Sequence, residues 1–325
     1  MTDKKKILLS GVKPTGRPHI GNYFGAMKQF ADLQDEYDAR VFIADYHAIT
    51  TVQNAAELSR NTLDVALDYL AIGIDPKKTL LFKQSDLPEL CELAWIFNCI
   101  TTMPYLMRAH AYKDAEAKNK EINVGIFDYP ILMTADILIQ DADAVPVGQD
   151  QKQHVEYARD TAEKFNRIFG ETFKLPNSLI LDHVKIIPGT DGQKMSKSYG
   201  NTIALFAEFE DIKKAVMSIP TNSQGVDESK DPEKDNIFAL HKHFADAEEI
   251  EEIEKRYTNG GLGYKESKEI LISNIEKFIA PLREKRKEFA KDEDAVRKML
   301  KENGEKAREI ALSKMKEVKK AVGLY

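Results

Sequence analysis

Cysteine is scarce. The 325-residue chain carries two, Cys91 and Cys99, eight positions apart in an apolar stretch with no histidine beside them. Two such residues supply neither a four-ligand zinc site nor a disulfide framework, so they read as small core residues. Long apolar runs are also missing, and no stretch reaches the roughly 18 residues of a membrane span. The start, "MTDKKKILLSG", follows its lysines with a run too short for a signal segment and reads as a first strand. These absences predict a cytoplasmic protein with no membrane partner. Charge of one sign does not dominate either, with 47 Lys and Arg against 53 Asp and Glu and a net charge of −6. A uniformly basic nucleic-acid coat is thereby excluded. Residues 281–325 nevertheless hold 14 Lys and Arg against 9 Asp and Glu, a local surplus of +5 that leaves −11 on the remainder. Such a face can meet RNA phosphates or can be a solvated helix laced with i,i+4 pairs; charge alone favours the second. No internal repeat or low-complexity tract is present, and neither "GxGxxG" nor "GxxxxGK[ST]" occurs at the first strand–helix turn.

What is present is alternation. "KKILLSG", "ARVFIADYHAIT", "TLLFKQS" and "DAVPVG" read as strands with their exit loops, and between them lie amphipathic or apolar helical runs: Ile20 to Gln34, Ala55 to Ile72, "LCELAWIFNCITTM" and "YPILMTADILIQ". A further helix runs through "DQKQHVEYARDTAEKFNRIFG". The pattern predicts an α/β fold, a Rossmann-like parallel sheet covered by helices, with a helical insertion at about 86–140. After about Asn201 the strands stop and helix follows helix, which divides the chain into a catalytic domain, 1–201, and a helical domain, 202–325. In the last helix, Glu305 to Val322, the residues Ile310, Leu312, Met315, Val318 and Val322 form an apolar stripe that should dock, so this helix is expected to pack back on the catalytic domain.

Two stretches stand out chemically. "GVKPTGRPHIGN", Gly11 to Asn22, follows the first strand and opens a helix. In an open parallel sheet ligands bind beyond the carboxyl ends of the strands, glycines allow close backbone approach, and a helix N-terminus favours phosphate. By spacing alone a plain strand–turn–helix fits equally well. "KMSKS", Lys194 to Ser198, puts two lysines three apart in a Gly-flanked loop, where their ammonium groups and the hydroxyls of Ser196 and Ser198 can meet one polyphosphate. A solvated loop is the plainer reading of that segment taken by itself.

Together, "PTGRPHIGN" and a "KMSKS" about 175 residues later resemble the class I aminoacyl-tRNA synthetases. The resemblance is to the tryptophanyl family over nearly the whole chain, through "GVKPTGRPHIGNYFGAMKQF", "IADYHAIT", "YPILMTADILI" and "VPVGQDQKQHVEYARDTAEKFN". It implies ATP-dependent activation of L-tryptophan to tryptophanyl-adenylate, then transfer to tRNA(Trp); no DNA partner is implied. His19, Lys194 and Lys197 would be catalytic. Lys13, Pro14, Thr15, Gly21, Asn22, Gly148, Gln149, Asp150, Ile186, Met195, Ser196 and Ser198 would meet ATP, with Lys113 a further phosphate lysine. Asp136 would accept the indole N–H, a donor-only group that needs a buried acceptor. Met133, Val145 and Val147 would wall the indole, Tyr129 and Gln151 would hold the α-ammonium, and His47 would either line this pocket or cap a turn. Mg2+ would travel with the ATP phosphates, with no metal site of the protein's own. A homodimer is expected, with the two apolar helices as candidates for its interface.

Three positions depart from the family pattern. Asn22 takes the fourth place of the "HIGH" motif, Lys13 stands where Gln is usual, and Gln149 replaces Glu. Lys13 there can add charge to the triphosphate or point to water. The alternatives are a tyrosyl enzyme, whose usual "SDQ" is absent here, and a catalytically retired tRNA-binding paralogue, which the intact His19 and lysines disfavour.

Overall fold

The computed structural model describes residues 5–109, 112, 113, 116, 122–148, 152–180 and 187–324. The chain gathers into two compact units. The first comprises Met1–Gly16, Phe30–Asp182 and Asp292–Tyr325, and the second Arg17–Gln29 and His183–Lys291. The composition shift at Asn201 is therefore not where the packing divides. Both "HIGN" and "KMSKS" lie in the second unit, and the last helix lies in the first.

In the first unit, β1 (Ile7–Val12), β2 (Asp38–Ile43), β3 (Leu80–Lys83), β4 (Ala144–Val147) and β5 (Asn177–Ile180) form a parallel sheet of order β3-β2-β1-β4-β5. Ile7, Leu8, Leu9, Val41 and Ile43 are all buried, the near-continuous apolar reading expected of parallel strands covered on both faces. β5 is an addition to the four expected strands. "NSLI" has four residues and no apolar period, so only its pairing with β4 identifies it. Strands are added to one side of β1 and then to the other. The switch falls between β1 and β4, where an open sheet presents ligands to the loops at its carboxyl edge. Gly11 belongs to β1 and pairs with Phe42, and a Cβ there would overlap the Phe42 ring. Its lack of a side chain answers to sheet packing rather than to a ligand.

Two helical expectations change. Cys91 and Cys99 are exposed, because the Glu89–Ile100 helix buries Leu90, Leu93, Ala94, Ile96 and Phe97 and turns the stripe Cys91, Trp95, Cys99 outward. The last helix runs over Glu293–Val322 and buries Val296, Leu300, Ala307, Ala311, Met315 and Val318, whereas Leu312 is 49% exposed. Ala307, Ala311, Met315 and Val318 join the apolar core that also holds Leu9, Phe82, Phe97 and Ile131. Among the described residues no helix is long and apolar enough to cross a membrane.

The second unit has its own core, in which Ile20, Ile187, Met195 and Ile203 pack with Ile212 and Val216 of the Phe209–Met217 helix and with Leu271, Ile275 and Ile279 of the Tyr264–Ala290 helix. The helix that opens at Ile20 is interrupted by a π turn, Tyr23–Met27. Phe24 from that turn stacks on Phe278, with ring centroids 5.3 Å apart. Such single π turns collect at functional sites.

Candidate active site

The loops at the carboxyl edge of the sheet converge on one buried carboxylate. Asp136, in the Val124–Ile139 helix, is 3% exposed. Gln84, in the turn that follows β3, donates its amide Nε2–H to both carboxylate oxygens at 2.9 Å. His47, in the short Asp45–Ile49 helix after β2, places Nε2 3.0 Å from Asp136 Oδ2. The Gln84 Oε1 accepts the His47 backbone N–H at 3.2 Å, so one side chain fixes both partners of the contact. Burial pushes the Asp136 carboxyl toward holding its proton, and the bonds from His47 and Gln84 oppose that shift. A carboxylate has about four acceptor positions. Among the described residues these three contacts leave capacity on Oδ1, which takes one bond from Gln84.

Around this group, Met133 lies one turn back on the same helix, and Met133, Val145 and Val147 pack against the first unit's core. The Tyr129 hydroxyl is 2.9 Å from His154 Nε2. A cavity of about 420 Å³ opens beside them and is lined by His47, Thr50, Asp128, Tyr129 and Leu132, among others. Of the residues expected around tryptophan, His47 and Tyr129 line this cavity, and Met133, Asp136, Val145 and Val147 do not. Lys13 is half-buried; its Nζ donates to Thr50 Oγ1 at 2.9 Å, and burial lowers its pKa. Pro14 is buried and Thr15 exposed in the same loop, and Gly148 follows β4. Lys113 is exposed. Gln149, Asp150, Gln151 and Ile186 lie outside the described residues.

The second unit carries both motif loops. His19 Nδ1 accepts the Asn22 N–H at 3.2 Å, while Asn22 Oδ1 accepts the His19 N–H at 3.1 Å. With Nδ1 an acceptor, the neutral ring carries its proton on Nε2. Burial, with the Lys197 charge added, lowers the His19 pKa to about 4. The ring is therefore neutral at pH 7 and offers one N–H donor. The Asn22 side chain closes the reciprocal cap on the His19 backbone, while its backbone N–H occupies Nδ1. Gly21 allows close packing: a Cβ there would lie 3.0 Å from His19 Nδ1 and 3.3 Å from Met195 Cβ. "KMSKS" alternates accordingly. Met195 is buried in the second unit's core and Ser196 is half-buried, whereas Lys194, Lys197 and Ser198 are exposed. Two backbone bonds join the following segment to the motif, Ile20 N–H to the Ile203 carbonyl at 3.0 Å and Leu205 N–H to the Pro18 carbonyl at 3.0 Å. Among the described residues no group of three or more His, Cys, Asp or Glu is placed to hold a metal ion.

Gln84 and Thr50 are the residues that sequence reasoning missed. Gln84 directly follows β3 within the run "TLLFKQS", and a polar residue at the carboxyl end of a parallel strand is a usable signal. Thr50 carries no such signal.

The family model of class I tRNA synthetases (W and Y) matches residues 1–280. The tryptophan–tRNA ligase of Fusobacterium nucleatum is 50% identical over 97% of this chain and 97% of its own. That of Rhodopirellula baltica is 48% identical over 98% and 99%. The crystal structure of the Campylobacter jejuni tryptophanyl-tRNA synthetase, in complex with ADP and tryptophan, is similar with a TM-score of 0.93 and 43% identity, covering 98% of this chain and 100% of that one.

Proposed function

Since the chain belongs to the class I tRNA synthetases of the tryptophan and tyrosine group, we propose how its own residues divide the work of ligating tryptophan to tRNA. The activity is that of a tryptophan–tRNA ligase. The tryptophan carboxylate attacks the α-phosphorus of ATP in line, forming tryptophanyl-adenylate and releasing pyrophosphate. The 2′-hydroxyl of the terminal adenosine of tRNA(Trp) then takes the acyl group and releases AMP. No side chain becomes a nucleophile, so catalysis is positioning and charge stabilisation.

The observation that carries the choice of amino acid is the Asp136 clamp. A carboxylate held by Gln84 and His47 with one oxygen still able to accept matches indole N–H, which can only donate. A site built around one buried acceptor rejects a side chain that leaves it unpaired. Met133, Val145 and Val147 supply apolar walls. Tyr129, with Gln151, holds the α-ammonium group.

On the phosphate side, His19 donates Nε2–H, and Lys194 and Lys197 supply charge that matters most as charge builds on the transferring phosphate. Ser196 and Ser198 add donors. Lys13, Pro14, Thr15, Gly21, Asn22, Gly148, Gln149, Asp150, Ile186 and Met195 frame the nucleotide, and Lys113 reaches its phosphates. The donor set of cations and hydroxyls suits an Mg2+ that is held by phosphate oxygens. Residues 202–300 contact the tRNA anticodon region. The outward stripe of Cys91, Trp95 and Cys99, with Trp95 70% exposed, supports a homodimer through the Glu89–Ile100 helix. The Val124–Ile139 helix buries its second half, at Ile131, Ala135, Ile137, Leu138 and Ile139, so this part offers less to such an interface.

Tryptophan-dependent ATP–pyrophosphate exchange tests the reading. Exchange with tryptophan and none with tyrosine is expected. Equal exchange with both, or none with either, refutes it.

A further inference from the structure

The frame of the "KMSKS" loop converges on a side chain outside the motif. Asn201 is 2% exposed. Its Oδ1 accepts the Ser196 N–H at 2.8 Å, and its Nδ2 donates to Asp191 Oδ1 at 2.7 Å and to the Lys194 carbonyl at 3.2 Å. Its own carbonyl accepts the Thr190 N–H at 2.9 Å. Gly189 makes room for this arrangement, since a Cβ at that position would overlap the Asn201 amide. Two residues further on, the Ile203 carbonyl takes the Ile20 N–H, and Ala204 bridges His19 in antiparallel fashion. One amide therefore grips the main chain on both sides of Met195, immediately before the chain is bonded to the His19 segment.

We infer that Asn201 is a positioning residue for adenylate formation: its amide holds Lys194 and Ser196 in the frame of His19, so that ammonium and imidazole donors meet one polyphosphate. This rests on the tryptophan-activation reading above. Asn201 acts through the loop and does not touch the nucleotide. A neutral amide suits the place because it accepts and donates at once. Aspartate keeps the acceptor for Ser196, loses both donated bonds and sets a second carboxylate against Asp191. Alanine loses all three side-chain bonds.

The test uses the full chain and the variants Asn201→Ala, Asn201→Asp, Asp191→Asn and the double variant Asn201→Asp with Asp191→Asn. Tryptophan-dependent ATP–pyrophosphate exchange supplies kcat and KM, and calorimetry supplies the tryptophan Kd. A 1 Å displacement of positioned groups lowers rate by about 100-fold, and that loss in kcat is expected for Asn201→Ala and Asn201→Asp. Tryptophan KM and Kd should stay within about twofold, a split that a general loss of structure would not produce. In the double variant the pair re-forms with donor and acceptor exchanged, and about a tenfold recovery over Asn201→Asp is expected. The exposed Asp191→Asn leaves folding aside and alone should lower kcat by about threefold, because the Asn201 amide loses its charged acceptor. Unchanged kcat in these variants, tryptophan affinity lost in parallel with kcat, or no recovery in the double variant overturns the inference. If the unmodified chain gave no exchange, the activation reading itself would fall; an active parent with unaffected variants defeats only the role of Asn201.

Discussion

Replacing Gln84 with leucine separates the indole clamp from the rest of the site. Gln84 is fully buried, and its amide serves both oxygens of Asp136 at 2.9 Å. Leucine fills a similar volume and offers no polar atom, so of its partners among the described residues Asp136 keeps His47. A hydrogen bond to a charged group contributes about 1.5–3 kcal/mol. Loss of the oriented acceptor should therefore lower kcat/KM for tryptophan by about 10- to 150-fold. The discriminating measurement compares tryptophan with its benzothiophene analogue, in which sulfur replaces the indole N–H and cannot donate. The unmodified chain should prefer tryptophan strongly, and Gln84→Leu should shrink that preference by about the same factor as the loss in kcat/KM. The pH dependence has a definite sign. Burial raises the Asp136 pKa, and Gln84 is one of the groups opposing the rise. In the variant the carboxyl takes up its proton at a higher pH than in the parent, so the tryptophan KM should begin to rise at a higher pH as acid is added. The His47 N–H also loses its acceptor, which lowers stability by about 1–3 kcal/mol and shows in thermal denaturation. A variant that is less stable but keeps the parental preference and pH profile would refute the clamp.

Lys194→Ala should slow adenylate formation by about 10²–10³-fold and leave the tryptophan Kd unchanged, as pre-steady-state kinetics and calorimetry can separate; equal loss in both would remove its transition-state role. His19 should titrate near pH 4 by NMR, well below the usual 6.5. Because its folded pKa is depressed, the stability linked to it is complete above about 6.5 and declines as pH falls toward 4; a midpoint near 6.5 would contradict the neutral-donor assignment. Arg283, which donates to the Ala207 carbonyl at 2.6 Å and pairs with Glu276, should lower stability by about 3 kcal/mol when changed to alanine, measured by denaturant unfolding. A change below about 1 kcal/mol would mean that Glu276 and the carbonyl are rehydrated at little expense.

Much of the fold was legible because its signals are local. The apolar runs of β1, β2 and β3, the βα alternation and the two motif loops each sit within a dozen residues. β5 was missed because "NSLI" is short and aperiodic, and pairing with β4 alone makes it a strand. The cysteines were misread as core because a strongly apolar helix does not announce which face is buried. Trp95, between them, is the clearest sign that the stripe faces outward.

The identities of His19, Asp136 and the two lysines of "KMSKS", and hence the chemistry available to the chain, were determined by sequence, since the donors and acceptors a side chain offers are its own. Which groups those side chains meet was decided only by the tertiary structure. Gln84 and Asp136 are 52 positions apart, yet share two bonds because the ends of β3 and the Val124–Ile139 helix meet at one edge of the sheet. Gly21 and Met195 come into contact because the second unit packs Ile20 and Met195 into one core. Lys13 meets Thr50 for the same kind of reason: the exits of β1 and β2 lie side by side, and a neighbouring hydroxyl accepts one bond from the ammonium.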